Sequence, residues 1–255
     1  MIRVVHRFFT RTVPPYRRIW DKFGRLRERL NTIERLLYEV RDAQNAAQHA
    51  AWRSELLLAG DLETIAAMDS ALVRRYVFAA AHIPKHAHVL DVACGFGFGA
   101  YYVATRTACD QVTGLDALES NLAIAQLKHE SPKIAYVRGE CAERSFSDEA
   151  FDVVLLLNAS RNRGWDEPLF RRFAAMLSPD GTLIVAMVNR DRLAERDPSL
   201  DLVAYSAAQV QAMAIGAGLA VEAVFAQHVG ADALVNGDDG DLLVMVLRKP
   251  KDRKS

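Results

Sequence analysis

Residues 89–100 read Val-Leu-Asp-Val-Ala-Cys-Gly-Phe-Gly-Phe-Gly-Ala, a glycine-rich turn set between a buried apolar run and a helical stretch. Nucleotide-binding α/β folds require this order, because glycines at 95 and 97 let backbone approach a ligand that any β-carbon would repel. Asp91 is an acid in an otherwise apolar strand. Its carboxylate either accepts from the amides of the turn or faces a cationic group on a ligand, and the two roles are compatible. Gly95, Gly97 and Ala100 also satisfy the G-x-G-x-x-A dinucleotide pattern, with Asp116 about 20 residues onward, placed to accept from ribose hydroxyls. On this motif alone, an NAD-dependent dehydrogenase is a full alternative.

The elements that must hold these residues follow from periodicity. Apolar segments at 87–92, 111–115, 134–137, 153–157, 182–188, 220–225 and 241–248 read as strands. Helical stretches at 118–128 and 168–177 separate them, and Ser206 with Gln209 forms a capping-box signature for another helix reaching Gly216 and Gly218. Such alternation predicts an α/β fold with a Rossmann-like, seven-stranded, mostly parallel sheet wound on both faces.

Ahead of this domain, assigned to 61–250, lies a different pattern. Ile19, Phe23, Leu26, Leu30, Ile33, Leu37 and Val40 alternate four- and three-residue spacings, the seam of a coiled coil. The reading is one long amphipathic helix over 15–60, pairing as a homodimer through 19–40. A second helical pattern runs from Asp61 to His82 before Pro84. Residues 1–14 form a basic segment with Arg3, Arg7 and Arg11 among Val4, Val5, Phe8 and Phe9, suited to peripheral contact with an anionic membrane surface, and 251–255 is a tail.

At 255 residues and 51% hydrophobic, the chain suits one α/β domain plus an appendage. Lysine plus arginine equals aspartate plus glutamate at 32 each, so the net field gives no reason to expect nucleic acid. Cys94, Cys109 and Cys141 are odd in number and lack zinc-type pairing, which predicts no metal and a reducing, cytoplasmic compartment, peripheral at the inner face of the membrane if the basic segment binds there. An organellar transit peptide ranks second, because such segments are usually serine-rich.

Four motifs in order, Asp-x-Ala-Cys-Gly-x-Gly, GLDALESNLAIAQ, RGECAERSFSDEAFDVV and MLSPDGTLIV, resemble the successive motifs of class I S-adenosylmethionine (SAM)-dependent methyltransferases, over roughly residues 74–250. The resemblance implies SAM as cofactor. It places Asp91, Ala93, Cys94, Gly95 and Gly97 at the methionine end, Asp116 on the ribose and Ala117 against adenine. Glu140 takes a position where the family usually has aspartate reaching the adenine amine. Cys141 follows it with a backbone amide on the ring, and Asn158 lies beside the sulfonium.

A narrower resemblance is to bacterial methyltransferases of surface-polysaccharide synthesis, carried by Arg75, Tyr76, Phe78 and Ala79, by Asn189 and Arg190, and by Arg248 to Pro250. It implies a small-molecule or glycan acceptor. Those proteins usually continue the fourth strand into Glu-x-x-Glu-His, where this chain has Asn158, Ala159, Ser160, Arg161 and Asn162. Methyl transfer is an in-line displacement, and a base that takes a hydroxyl proton adds a factor of about 100 to 10,000. No catalytic base is assigned, and a catalytically degenerate SAM-binding scaffold is the alternative. Asp166 and Glu167 read first as N-terminal acids of the next helix. His82, His86 and His88 precede the first strand and belong at the far end of the sheet, while His129 and His228 receive no role.

Overall fold

The computed structural model describes residues 70–141, 146–157, 165–192, 204–228 and 233–251. The basic segment, the coiled-coil helix with its dimer seam, most of the tail, and Asn158 lie outside the described residues.

Strand β1 (His88–Val92) is buried on both faces, as a strand between two helix layers must be. Side chains alternate along it: Leu90 and Val92 enter the main apolar cluster, whereas Val89 and Asp91 fall on the other face. The chain runs from α1 (Ser70–Ala80) through β1, α2 (Phe98–Arg106), β2 (Gln111–Asp116), α3 (Glu119–Lys128) and β3 (Ile134–Arg138) to β4 (Phe151–Leu156). It continues through α4 (Glu167–Met176), β5 (Leu177–Asn189), β6 (Ala204–Tyr205), α5 (Ala207–Gly216), β7 (Ala220–Gln227), β8 (Leu234–Asn236) and β9 (Leu242–Arg248).

These strands form one sheet in the order β3-β2-β1-β4-β5-β9-β7-β8, with β6 beside β5. Strands β1 to β5 are parallel to one another, and β9 is antiparallel to both β5 and β7. The chain moves outward from β1 to β2 and β3, then restarts at β4 on the opposite side. The ends of β1 and β4 are therefore the topological switch point where such sheets open a ligand crevice.

The sheet has nine strands among the described residues, not the expected seven. All seven expected segments are strands; β6 and β8 are additions of two and three residues, too short to carry a periodic signal. Strand β5 also starts earlier than expected, because Leu177 pairs with Phe151 ahead of the main register Val153 to Thr182.

Helices α4 and α5 close one face. Phe170, Phe173, Val210 and Ala214 are buried in the cluster with Leu90, Val154, Leu183, Val185 and Met245. Their starts are chemically marked. Asp166 accepts from the Leu169 amide at 2.9 Å, and Ser206 and Gln209 complete a reciprocal capping box. Glu167 pairs with Arg171 one turn on, so both acids serve α4. On the other face, Leu72, Tyr76 and Ala79 of α1 and Ala100, Val103 and Ala104 of α2 are buried.

Candidate functional site

The turn after β1 is held by groups distant in sequence. The Cys94 amide donates to the Leu115 carbonyl at 3.0 Å, and the Gly97 amide to the Cys94 carbonyl at 3.0 Å. Ala93, Gly95 and Gly97 all have positive φ, at 56°, 57° and 81°. The two glycines differ in what surrounds them. A β-carbon at Gly95 would meet nothing within 4 Å, so this is where a ligand can reach backbone. A β-carbon at Gly97 would collide with the Tyr136 hydroxyl and lie 2.7 Å from the Ala125 β-carbon. Gly97 is therefore required by packing, where the motif alone suggested ligand approach.

Asp116, at the end of β2, accepts from the Gly95 amide at 2.9 Å, from the Leu118 amide at 2.9 Å and from Asn121 Nδ2 at 3.0 Å. It ties the turn after β1 to the first turn of α3. Asp91, at the end of β1, is fully buried and has quite different company. The Tyr76 hydroxyl donates to it, 3.0 Å from Oδ1 and 3.3 Å from Oδ2, and the Ala100 amide at the start of α2 adds a hydrogen bond. Burial, reinforced by the nearby Asp116 charge, pushes its pKa up to about 7 against these stabilising bonds. The same burial raises the Tyr76 phenol and the Cys94 thiol, keeping both neutral.

Next to Tyr76, Arg75 is buried and donates from Nη1 to the Leu157 carbonyl at 2.8 Å, just beyond β4. Helix α1 thus reaches the ends of β1 and β4 with consecutive residues. Nothing in their spacing announced this; only the family resemblance marked Arg75 and Tyr76.

Behind the turn, Tyr136 Oη donates to the His129 carbonyl at 2.9 Å and lies 3.3 Å from the Gly97 carbonyl. His129 Nδ1 sits 2.8 Å from the Phe96 carbonyl, so that nitrogen carries the proton, and burial lowers the pKa of the ring. His129 is a brace for the turn, a role that sequence reasoning missed because its partner is a backbone oxygen. Ala117 and Glu140 are partly buried, and Cys141 packs partly buried against the main cluster.

The remaining candidates sort by the sheet. His86 pairs with Asp110 at 3.1 Å and His82 with the Phe78 carbonyl at 3.0 Å, both near the amino end of β1, which His88 begins. At the carboxyl rim, Asn189 Nδ2 donates to the Asp238 and Gly240 carbonyls at 2.8 and 2.9 Å, and Arg190 Nε to the Ala204 carbonyl at 3.2 Å. Arg248 pairs with Glu222 at 2.8 Å. His228 Nδ1 lies 3.9 Å from Asp241. Among the described residues, no cluster of three or more His, Cys, Asp or Glu is arranged to hold a metal.

Residues 89–181 match the model of a family described as a methyltransferase domain. Over 100 residues the chain is 38% identical to the phthiotriol/phenolphthiotriol dimycocerosates methyltransferase 1 of Mycobacterium ulcerans, covering 38% of this chain and 35% of that protein. The chain matches about a third of the length of its curated relatives. Among solved structures, a chain of the complex between the Haloferax volcanii Trm112 methyltransferase activator and the putative methyltransferase superposes with a TM-score of 0.61 at 18% identity, covering 72% of this chain and 92% of that one. A putative S-adenosylmethionine-dependent methyltransferase from Listeria monocytogenes gives 0.58 at 16% identity, covering 70% and 99%. The fold is that of the Rossmann-like methyltransferases, with a mainly parallel sheet.

Proposed function

We propose that the chain is a SAM-dependent methyltransferase acting on a hydroxyl oxygen of a small or lipid-like acceptor. The carrying observation is Asp91: a fully buried carboxylate at the end of the central strand, with Asp116 across the turn. A buried acid needs a cation or a proton. The methionine moiety of SAM supplies an ammonium, whereas the pyrophosphate of NAD would bring negative charge against two carboxylates. In this reading Asp91, Ala93, Cys94, Gly95 and Gly97 would take the methionine end, Asp116 the ribose, Ala117 and Cys141 the adenine ring and Glu140 its amine; Asn158, outside the described residues, keeps its expected place near the sulfonium. When bound, the cofactor supplies an electrophilic methyl on sulfur. The protein's part is to hold the acceptor oxygen in line with it, which is where most of the rate gain in such a displacement arises.

The lipid-like acceptor is supported by the relatives, which are named for methyl transfer on phthiotriol/phenolphthiotriol dimycocerosates. A glycan acceptor has less behind it, since Asn189 and Arg190 at the carboxyl rim are engaged in backbone contacts, and Arg248, at the opposite end of the sheet beside Thr182, is held in an ion pair. A lipid-like acceptor also suits the basic, apolar segment 1–14, for which we propose peripheral membrane contact, with dimerisation through 19–40. Sedimentation with anionic vesicles, with and without residues 1–14, tests the first; light scattering on the full chain and on a chain starting at Asp61 tests the second. A second reading, a SAM-binding scaffold without turnover, rests on the run Asn158 to Asn162, which lacks the acids and histidine of the Glu-x-x-Glu-His pattern.

Calorimetric titration with S-adenosylhomocysteine and NAD separates the cofactors, and a methyl-donor turnover assay on lipid alcohols and sugars separates enzyme from scaffold. Binding of NAD without S-adenosylhomocysteine overturns the reading.

A further inference from the structure

Tyr76 is buried to 3% exposure, and its ring occupies the space that a β-carbon on Gly99 would need. The ring also meets Phe98 edge-on, with centroids 5.1 Å apart at 74°. These contacts fix the ring so that its hydroxyl sits on Asp91, at 3.0 and 3.3 Å from the two carboxylate oxygens. A phenylalanine would fill the same volume. Packing therefore explains the ring and leaves the hydroxyl to the carboxylate.

Building on the SAM-binding reading, we propose that Tyr76 is a positioning residue for the methionine end of the cofactor, its hydroxyl holding the Asp91 carboxylate in the orientation that receives the cofactor's ammonium. Every element around Asp91 contributes to its charge state. Tyr76 donates from α1 and the Ala100 amide from α2; Asp116 on β2 repels; Cys94 in the turn and Tyr136 on β3 are neutral neighbours; Arg75 acts on Tyr76. In sum, the carboxyl titrates near neutrality in the free protein. A bound ammonium favours the ionised form, so cofactor binding sends a proton from Asp91 to solvent. No covalent bond to the cofactor forms and nothing is oxidised. Affinity should rise as pH rises toward 7 and level above it, because the binding-competent carboxylate is the deprotonated one.

The test is isothermal titration of the full chain with S-adenosylhomocysteine, which keeps the ammonium, between pH 5.5 and 8.0 in phosphate and in Tris. Wild-type protein should gain affinity by up to about tenfold per unit below pH 7 and release a proton, seen as a buffer-dependent heat. Tyr76→Phe keeps the ring and loses the donor. Its pH midpoint should move upward, with several-fold weaker binding at pH 6.5 and much less loss at pH 8.0. A uniform loss of affinity with an unmoved midpoint would mean that the hydroxyl serves structure alone, and would overturn the proposal. Wild-type binding that is independent of pH and buffer also overturns it, while leaving the SAM reading standing. Absence of binding at any pH overturns both.

Discussion

Asp91, next to last in β1, and Asp116, the last residue of the adjacent parallel β2, lie two register positions apart, yet their carboxylates live in opposite circumstances. Asp116 collects three N–H donors and uses its charge to join the β1 turn to α3. Asp91 is sealed under α1 and α2, has a phenol as its side-chain partner, and is driven toward the neutral form by burial. Asp116 spends three acceptor positions on the protein's own donors and so organises the turn, whereas Asp91 meets a phenol and is closed off from solvent. The difference shows that acids at the ends of neighbouring strands can have wholly different environments, and that the donors folding brings to each decide which.

The largest test breaks the turn that separates the two. Gly97→Val combines a positive φ with a collision against Tyr136 and Ala125, and should cost roughly 2 to 5 kcal/mol of stability, with loss of S-adenosylhomocysteine binding. Thermal melts and calorimetry on one preparation check both; an unchanged melt would remove Tyr136 as the reason for glycine here.

Asp91→Asn sharpens the contrast through pH. An acid whose pKa is raised on folding binds its proton more tightly in the folded state. Wild-type stability should therefore fall as pH rises from the ordinary carboxylate range toward 7, by up to about 1.4 kcal/mol per pH unit, and flatten above. The asparagine variant should lose this slope in melts from pH 5 to 8, and should bind S-adenosylhomocysteine more weakly. A slope identical to wild type would assign the titration to another group.

Asp116→Ala strands the Gly95 and Leu118 amides and should cost about 1 to 3 kcal/mol, together with weaker S-adenosylhomocysteine binding; because its charge helps raise the Asp91 pKa, the pH slope should persist but level off at lower pH. If stability holds and only binding drops, Asp116 does not organise the turn and the comparison collapses. Asp166→Ala removes the α4 cap and should cost about 1 kcal/mol with unchanged cofactor affinity, a control for destabilisation away from the site.

Much of the architecture was legible from local chemistry. Apolar runs of strand length, Ser206 with Gln209, and Asp166 ahead of α4 each express a rule acting over a few residues, and seven strands and two helix starts appear where those rules put them. Strands β6 and β8 were not legible, because two or three residues acquire strand geometry only by lying beside a sheet already formed. The glycine turn and its two acids were visible as a set of residues, but their division of labour was not.

That division depends on contacts between residues far apart in the chain. Tyr76 reaches Asp91 across 15 residues, Asp116 reaches Gly95 across 21, Tyr136 lies against Gly97 across 39, and Arg75 reaches Leu157 across 82. The sequence by itself determined which groups were available and, through periodicity, which strands would carry them to one rim. Only the tertiary structure decided which carboxylate would collect three N–H donors and which would meet a phenol with no exposure to water, because desolvation and hydrogen bonding depend on neighbours that folding assembles.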